Sequence, residues 1–156
     1  MSGHSDNLSN SGKSSLYDRD FYAWANEQAG LLRAGKLTQA DIENIAEEIE
    51  SMGKTEKREL TSRLTVLLLH LLKWQYQPAR RGASWEVTIG TQRRAITRHL
   101  ADNPSLKSKL PEVTDDAYID AHAQAYAETG FPKTTFPATC PWTFDQIMSE
   151  GFWPGN

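Results

Sequence analysis

Apolar residues recur along this chain at spacings of three and four and almost nowhere in strict alternation, which is the period of helices and not of strands. Over Asp18–Ala34, the residues Phe21, Trp24, Gln28, Leu31 and Leu32 share one helical face, and Gly35 stands where such a helix would stop. Thr38 is placed to cap a second helix, with Asp41 three residues on and Leu37 and Ile42 flanking as a hydrophobic staple. Its stripe of Ile42, Ile45, Ile49 and Met52 predicts a buried face, and Gly53 predicts its end.

A third helix is expected from about Thr55 to Gln77, closed by Pro78. Leu60, Leu64, Leu67, Leu68 and Leu71 form its main stripe. Val66, Leu69 and Leu72 widen that stripe until the helix is apolar nearly all round, the mark of an element surrounded by others. Ser84 can cap a fourth helix with Trp85, Ile89, Ile96 and Leu100 on one face, although Gly90 weakens it by about 1 kcal/mol. Asn103-Pro104 opens a short helix to Leu110, Thr114–Thr129 reads as a longer one, and Thr143 caps a last short one with Gln146 three positions on. The pattern predicts an all-α fold: a compact helical bundle around one long central helix, with Pro132, Pro137 and Pro141 marking a Pro-rich C-terminal arm.

Composition adds bounds. Residues 1–15 hold six Ser, two Asn and two Gly, too little apolar surface to offset chain entropy, so they read as a flexible tail before a single helical domain over 16–154. One cysteine, Cys140, can form neither an internal disulfide nor a Cys-rich zinc site. No apolar run approaches the roughly 20 residues that span a bilayer, and no charged and then apolar leader opens the chain. The expectation is a cytoplasmic protein with no membrane partner.

Charge is unevenly spread. Residues 1–52 carry four Lys/Arg against nine Asp/Glu, residues 53–110 twelve against four, and residues 111–156 one against seven. The simpler reading is that acidic and basic helices answer each other in the fold. The sharper one makes Arg80, Arg81, Arg94 and Arg98 a phosphate-facing patch. The overall acidity, with a sequence pI near 5.8, disfavours nucleic acid.

Few motifs carry chemistry. Gly53-Lys54-Thr55 resembles the end of a phosphate-binding loop, but Glu48 stands where its first glycine belongs. Dinucleotide, zinc-protease and nucleophile-elbow patterns are absent, as are the Glu-x-x-His pairs of di-iron bundles. No cofactor and no metal set is therefore expected. His70, inside a run of leucines, needs a partner if buried, and Glu47, Glu48 and Glu50 of the preceding helix are the candidates. Arg93 falls on the core face of the fourth helix and needs a carboxylate or several carbonyls, with Glu48 the first choice. Glu48, His70 and Arg93 thus form a candidate polar cluster. Arg80 and Arg81 are candidate anion-binding residues, and Trp74, Tyr76 and Trp85 a candidate aromatic wall.

Four blocks carry a resemblance: Tyr17-Asp18-Arg19-Asp20-Phe21-Tyr22-Ala23-Trp24, Glu47-Glu48-Ile49-Glu50-Ser51-Met52-Gly53, the stretch from His70 to Pro78, and Phe152-Trp153-Pro154. Together they resemble the bacterial family called domain of unknown function twenty-nine, over about Leu16 to Pro154. The resemblance implies an all-α fold in a bacterial protein and implies no reaction. The leading expectation is a non-enzymatic interaction or scaffold protein with an unidentified protein partner. The alternatives are an enzyme or anion-binding protein with a His-Glu-Arg cleft, and a nucleic-acid-associated protein using the basic middle.

Overall fold

A computed structural model describes residues 15–155; the expected tail before Ser15 lies outside the described residues. The fold is all-α, with no strand among the described residues. The α-helices are α1 (Leu16–Arg19), α2 (Phe21–Arg33), α3 (Ile42–Tyr76), α4 (Ala83–Asp102), α5 (Leu110–Thr129) and α6 (Phe144–Met148). Short 3-10 turns at Pro78–Arg80, Pro104–Lys109 and Lys133–Thr135 lie between them. Contacts group the chain into two compact units, divided in sequence between Gly53 and Lys54.

The first unit is α1, α2 and the opening turns of α3. The predicted first helix is broken at Asp20, whose carboxylate accepts from the Ala23 N–H at 3.0 Å and so caps α2. Tyr17, Phe21 and Trp24 pack ring against ring, with centroids 4.7–5.8 Å apart. The start of α3 corrects the expected cap. Lys36–Ala40 closes in consecutive turns, Gln39 N–H to Lys36 O and Ala40 N–H to Leu37 O, which places Thr38 in a turn. Asp41 does the capping: its carboxylate accepts from the Asn44 N–H at 3.4 Å, the Asn44 side-chain amide at 2.7 Å and the Trp24 indole at 3.1 Å. Its own N–H donates to Gln28 Oε1 at 2.7 Å.

The predicted stop at Gly53 is also corrected. The second and third expected helices are one helix, α3, of 35 residues. A glycine inside a helix costs about 1 kcal/mol relative to alanine, and the flanking residues are good helix formers with no proline until Pro78. That penalty is too small to break the run.

The second unit is built on the leucine-rich part of α3. Leu60, Leu64, Leu67, Leu68, Leu71 and Leu72 are fully buried, as their stripe predicts. Around them close Ile89, Ile96 and Leu100 of α4 and Val113, Ala117, Tyr118, Ala121 and Ala125 of α5. Alanines on α5 let its backbone approach the leucines closely. Ser84 is not the cap of α4; Gly82 holds that position without a side-chain bond. Thr143 and Gln146 form the expected capping box of α6. The chain after α5 packs inward, with Phe136 and Ile147 buried in the same core. Ion pairs Lys57–Glu112 and Lys73–Glu128 tie α3 to α5, so part of the basic middle is answered by the acidic end.

Candidate functional site

The predicted buried stripe of the second helix is instead the wall of an open groove within the first unit. On α2, Phe21, Trp24, Ala25, Gln28, Ala29 and Leu32 repeat at helical spacing along one face. On α3, Ile45, Glu48, Ile49 and Met52 do the same. The groove between them has a volume of about 480 Å³ and an almost wholly apolar lining. Ala25 and Ala29 are the small residues that keep it open. Phe21 is 50% exposed, Ile49 64% and Met52 67%, so no described residue covers them. Glu48 accepts a hydrogen bond from the Tyr17 hydroxyl, and that bond to a carboxylate pushes the phenol up to about 12.

The expected Glu48–His70–Arg93 cluster has other partners throughout. Glu48 and His70 lie on one helix, far more than one turn apart, so they cannot face each other as residues of neighbouring helices would. His70 is half-buried, and its Nδ1 donates to the Val66 carbonyl at 2.7 Å, one turn back on α3. Burial holds its imidazole below the ordinary value, with the Val66 carbonyl partly opposing that shift. Arg93 is buried, but carbonyls hold it and not a carboxylate. Its Nε donates to Ile147 O and a terminal nitrogen to Phe152 O, both at 2.8 Å. Its guanidinium also lies over the Trp153 ring at 5.5 Å. Burial pulls this pKa down, and Glu150 pushes it back up.

Arg81 of the candidate anion pair and the residues of the aromatic wall have partners within the fold. Arg81 donates from Nε to Trp74 O at 2.6 Å and reaches Pro154 O at 3.5 Å, while stacking over the Trp74 ring. Trp74 packs on Trp153 with centroids 4.6 Å apart. Tyr76 meets Phe136 edge-on, and Trp85 lies under the Lys73 ammonium. Arg80 ends the Pro78–Arg80 turn and is exposed. The C-terminal segment thus occupies Trp74, Arg81 and Arg93, while Tyr76 and Trp85 have partners elsewhere in the core.

One cluster the sequence reading missed lies on the α3–α4 contact. Glu56 and Glu59 of α3 bring their carboxylates to His99 of α4, which is buried. Its sequence signal is the Glu56-x-x-Glu59 pair, which places two carboxylates on one face of α3 but does not reveal the distant histidine.

The described residues form a helical protein without strands, in which the aromatic Tyr17–Trp24 stretch packs on the acidic stretch that opens α3. The chain belongs to the family described as Domain of unknown function DUF29, which it matches over residues 16–153. No curated protein and no solved structure matches it. The blocks that carry the family resemblance meet in pairs: the Tyr17–Trp24 block with the Glu47–Gly53 block, and the His70–Pro78 block with Phe152–Pro154. No helix among the described residues is long and apolar enough to cross a membrane.

Proposed function

We propose that the protein is a non-enzymatic interaction domain of the bacterial cytoplasm, and that the α2–α3 groove receives an amphipathic helix from a partner protein. The observation that carries this is the uncovered apolar stripe of Phe21, Ile49 and Met52. A face patterned at positions i, i+3, i+4 and i+7 is complementary to another helix. Burying each such side chain is worth about 1.5–3 kcal/mol.

Charge argues for the kind of helix. Residues 16–52 carry eight acidic and three basic side chains, so an incoming helix flanked by Lys and Arg is attracted. A second copy of the same acidic face would be repelled. The alternatives of an enzyme, an anion binder or a nucleic-acid reader draw less support, because Arg81 and Arg93 spend their donors on backbone carbonyls. The lone Cys140 suits a reducing compartment: it is half-buried, its thiol donates to Trp142 O at 3.4 Å, and burial pushes its pKa up.

The test is calorimetric titration with a synthetic Leu–Lys peptide of about five helical turns, patterned at helical spacing. The expected result is saturable 1:1 binding that Ile49→Glu weakens about tenfold or more, the loss of about 1.4 kcal/mol. A matching Leu–Glu peptide should not bind. No binding of the Leu–Lys peptide, or equal binding by Ile49→Glu, would refute the reading. So would a sedimentation profile showing a dimer that Ile49→Glu splits, which would give the groove to a second copy.

A further inference from the structure

The geometry points to a divalent transition-metal site, of the zinc class, formed by Glu56 and Glu59 of α3 with His99 of α4. The ligand atoms of these three side chains all lie within 4.8 Å of one another. A single ion bonded at about 2.0–2.2 Å to each spans that separation after a small closure. Long side chains supply the closure, since both carboxylates are about half exposed while His99 is 7% exposed and fixed.

The histidine is oriented as a ligand. Its Nε2 lies 2.8 Å from the Glu56 backbone oxygen, which can only accept, so Nε2 carries the hydrogen. A metal-binding imidazole is commonly held in this way, by a carbonyl on the nitrogen away from the ion. The other nitrogen, Nδ1, faces Glu59 Oε2 at 2.7 Å. A lone pair and a carboxylate oxygen cannot meet at that distance without a positive charge between them. That place takes a proton or a cation. Glu56 Oε2 lies 3.5 Å from Nε2, the nitrogen that carries the hydrogen, so the half-exposed Glu56 side chain swings to the Nδ1 side of the ring to become the third donor. Arg63, 3.7 Å from the other Glu59 oxygen, holds that carboxylate so that Oε2 is turned to the histidine.

One imidazole and two carboxylates suit a first-row dication such as Zn²⁺, with water completing its shell on the exposed side. Binding displaces the proton between Nδ1 and Oε2 to solvent and neutralises the two carboxylates. The ion would tie α3 to α4 at the rim of the leucine core, a structural role that does not depend on what occupies the groove.

The experiment is calorimetric titration of the full chain with ZnCl₂ alone, beside the Glu56→Gln/Glu59→Gln variant. The expected result is one equivalent bound, a higher melting temperature with Zn²⁺, and at least about a tenfold weaker affinity in the variant. In ¹⁵N spectra of the unsubstituted protein the His99 ring should respond to Zn²⁺ and the His70 and His122 rings should not, a readout that stands even if the variant fails to fold. Absence of Zn²⁺ binding, undiminished binding by a folded variant, or a response at His70 or His122 in place of His99 would each overturn the site.

Discussion

Leu68 and Arg93 show how differently a side chain can hold this fold. Leu68 is fully buried on the central stripe, and Leu68→Ala should cost about 2–5 kcal/mol, read as a fall in the denaturation midpoint. Arg93 contributes through direction. Its bond to the Ile147 carbonyl is buried and its bond to the Phe152 carbonyl part-buried, and a hydrogen bond from a charged group is worth about 1.5–3 kcal/mol. Arg93→Met should therefore destabilise by several kcal/mol and loosen the segment around Ile147 and Phe152, seen as faster amide exchange there. Its burial was legible from the stripe it shares with Ile89, Ile96 and Leu100. Its partners were not, because a carbonyl more than fifty residues away leaves no mark in the sequence. His70 gives a prediction with a sign. Its folded pKa lies below the unfolded value near 6.5, so the native chain binds fewer protons than the unfolded one. The stability it contributes is complete above the unfolded value and is lost as pH falls from there through the lower folded pKa. An NMR titration should place the His70 midpoint below 6.5.

At the scale of elements, α3 separates what spacing determines from what it leaves open. The leucine stripe and the stop before Pro78 follow from local rules and are found. The break at Gly53 was inferred from a residue that only weakens a helix, and a continuous run of helix formers outweighed it. A Cβ built at Gly53 meets nothing within 4 Å, so Gly53→Ala should stabilise the helix by about 0.5–1 kcal/mol and raise the melting temperature. An unchanged or lower temperature would contradict a continuous α3. Asp41 was expected at the third position of a capping box and is itself the cap. Turns and caps compete for the same residues, and the bonds from Trp24 and Asn44 decide between them. The C-terminal turn is more exacting. Gly155 has φ +84°, and a Cβ there would come within 2.9 Å of Arg81 and 3.4 Å of Gln75. Gly155→Ala should displace Arg81 from Pro154, detectable as increased mobility of Trp153 fluorescence.

For the whole molecule, the sequence distinguished an apolar face from a polar one but not a covered face from an open one. Ile42, Ile45, Ile49 and Met52 were legible as a stripe; that nothing described lies over Ile49 and Met52 could only come from the fold. The reverse holds for Arg81 and Trp74, which read as part of a pocket and are covered by Trp153 and Pro154. Both outcomes depend on contacts distant in sequence. The proposed docking of a basic amphipathic helix in the α2–α3 groove is best checked by amide chemical-shift mapping with the Leu–Lys peptide. The perturbed amides should cluster on Phe21–Leu32 and Ile45–Met52, and the perturbation should vanish from those segments in Ile49→Glu. Shifts confined to the acidic stretch after Pro111, or no shifts along the groove at saturation, would contradict it.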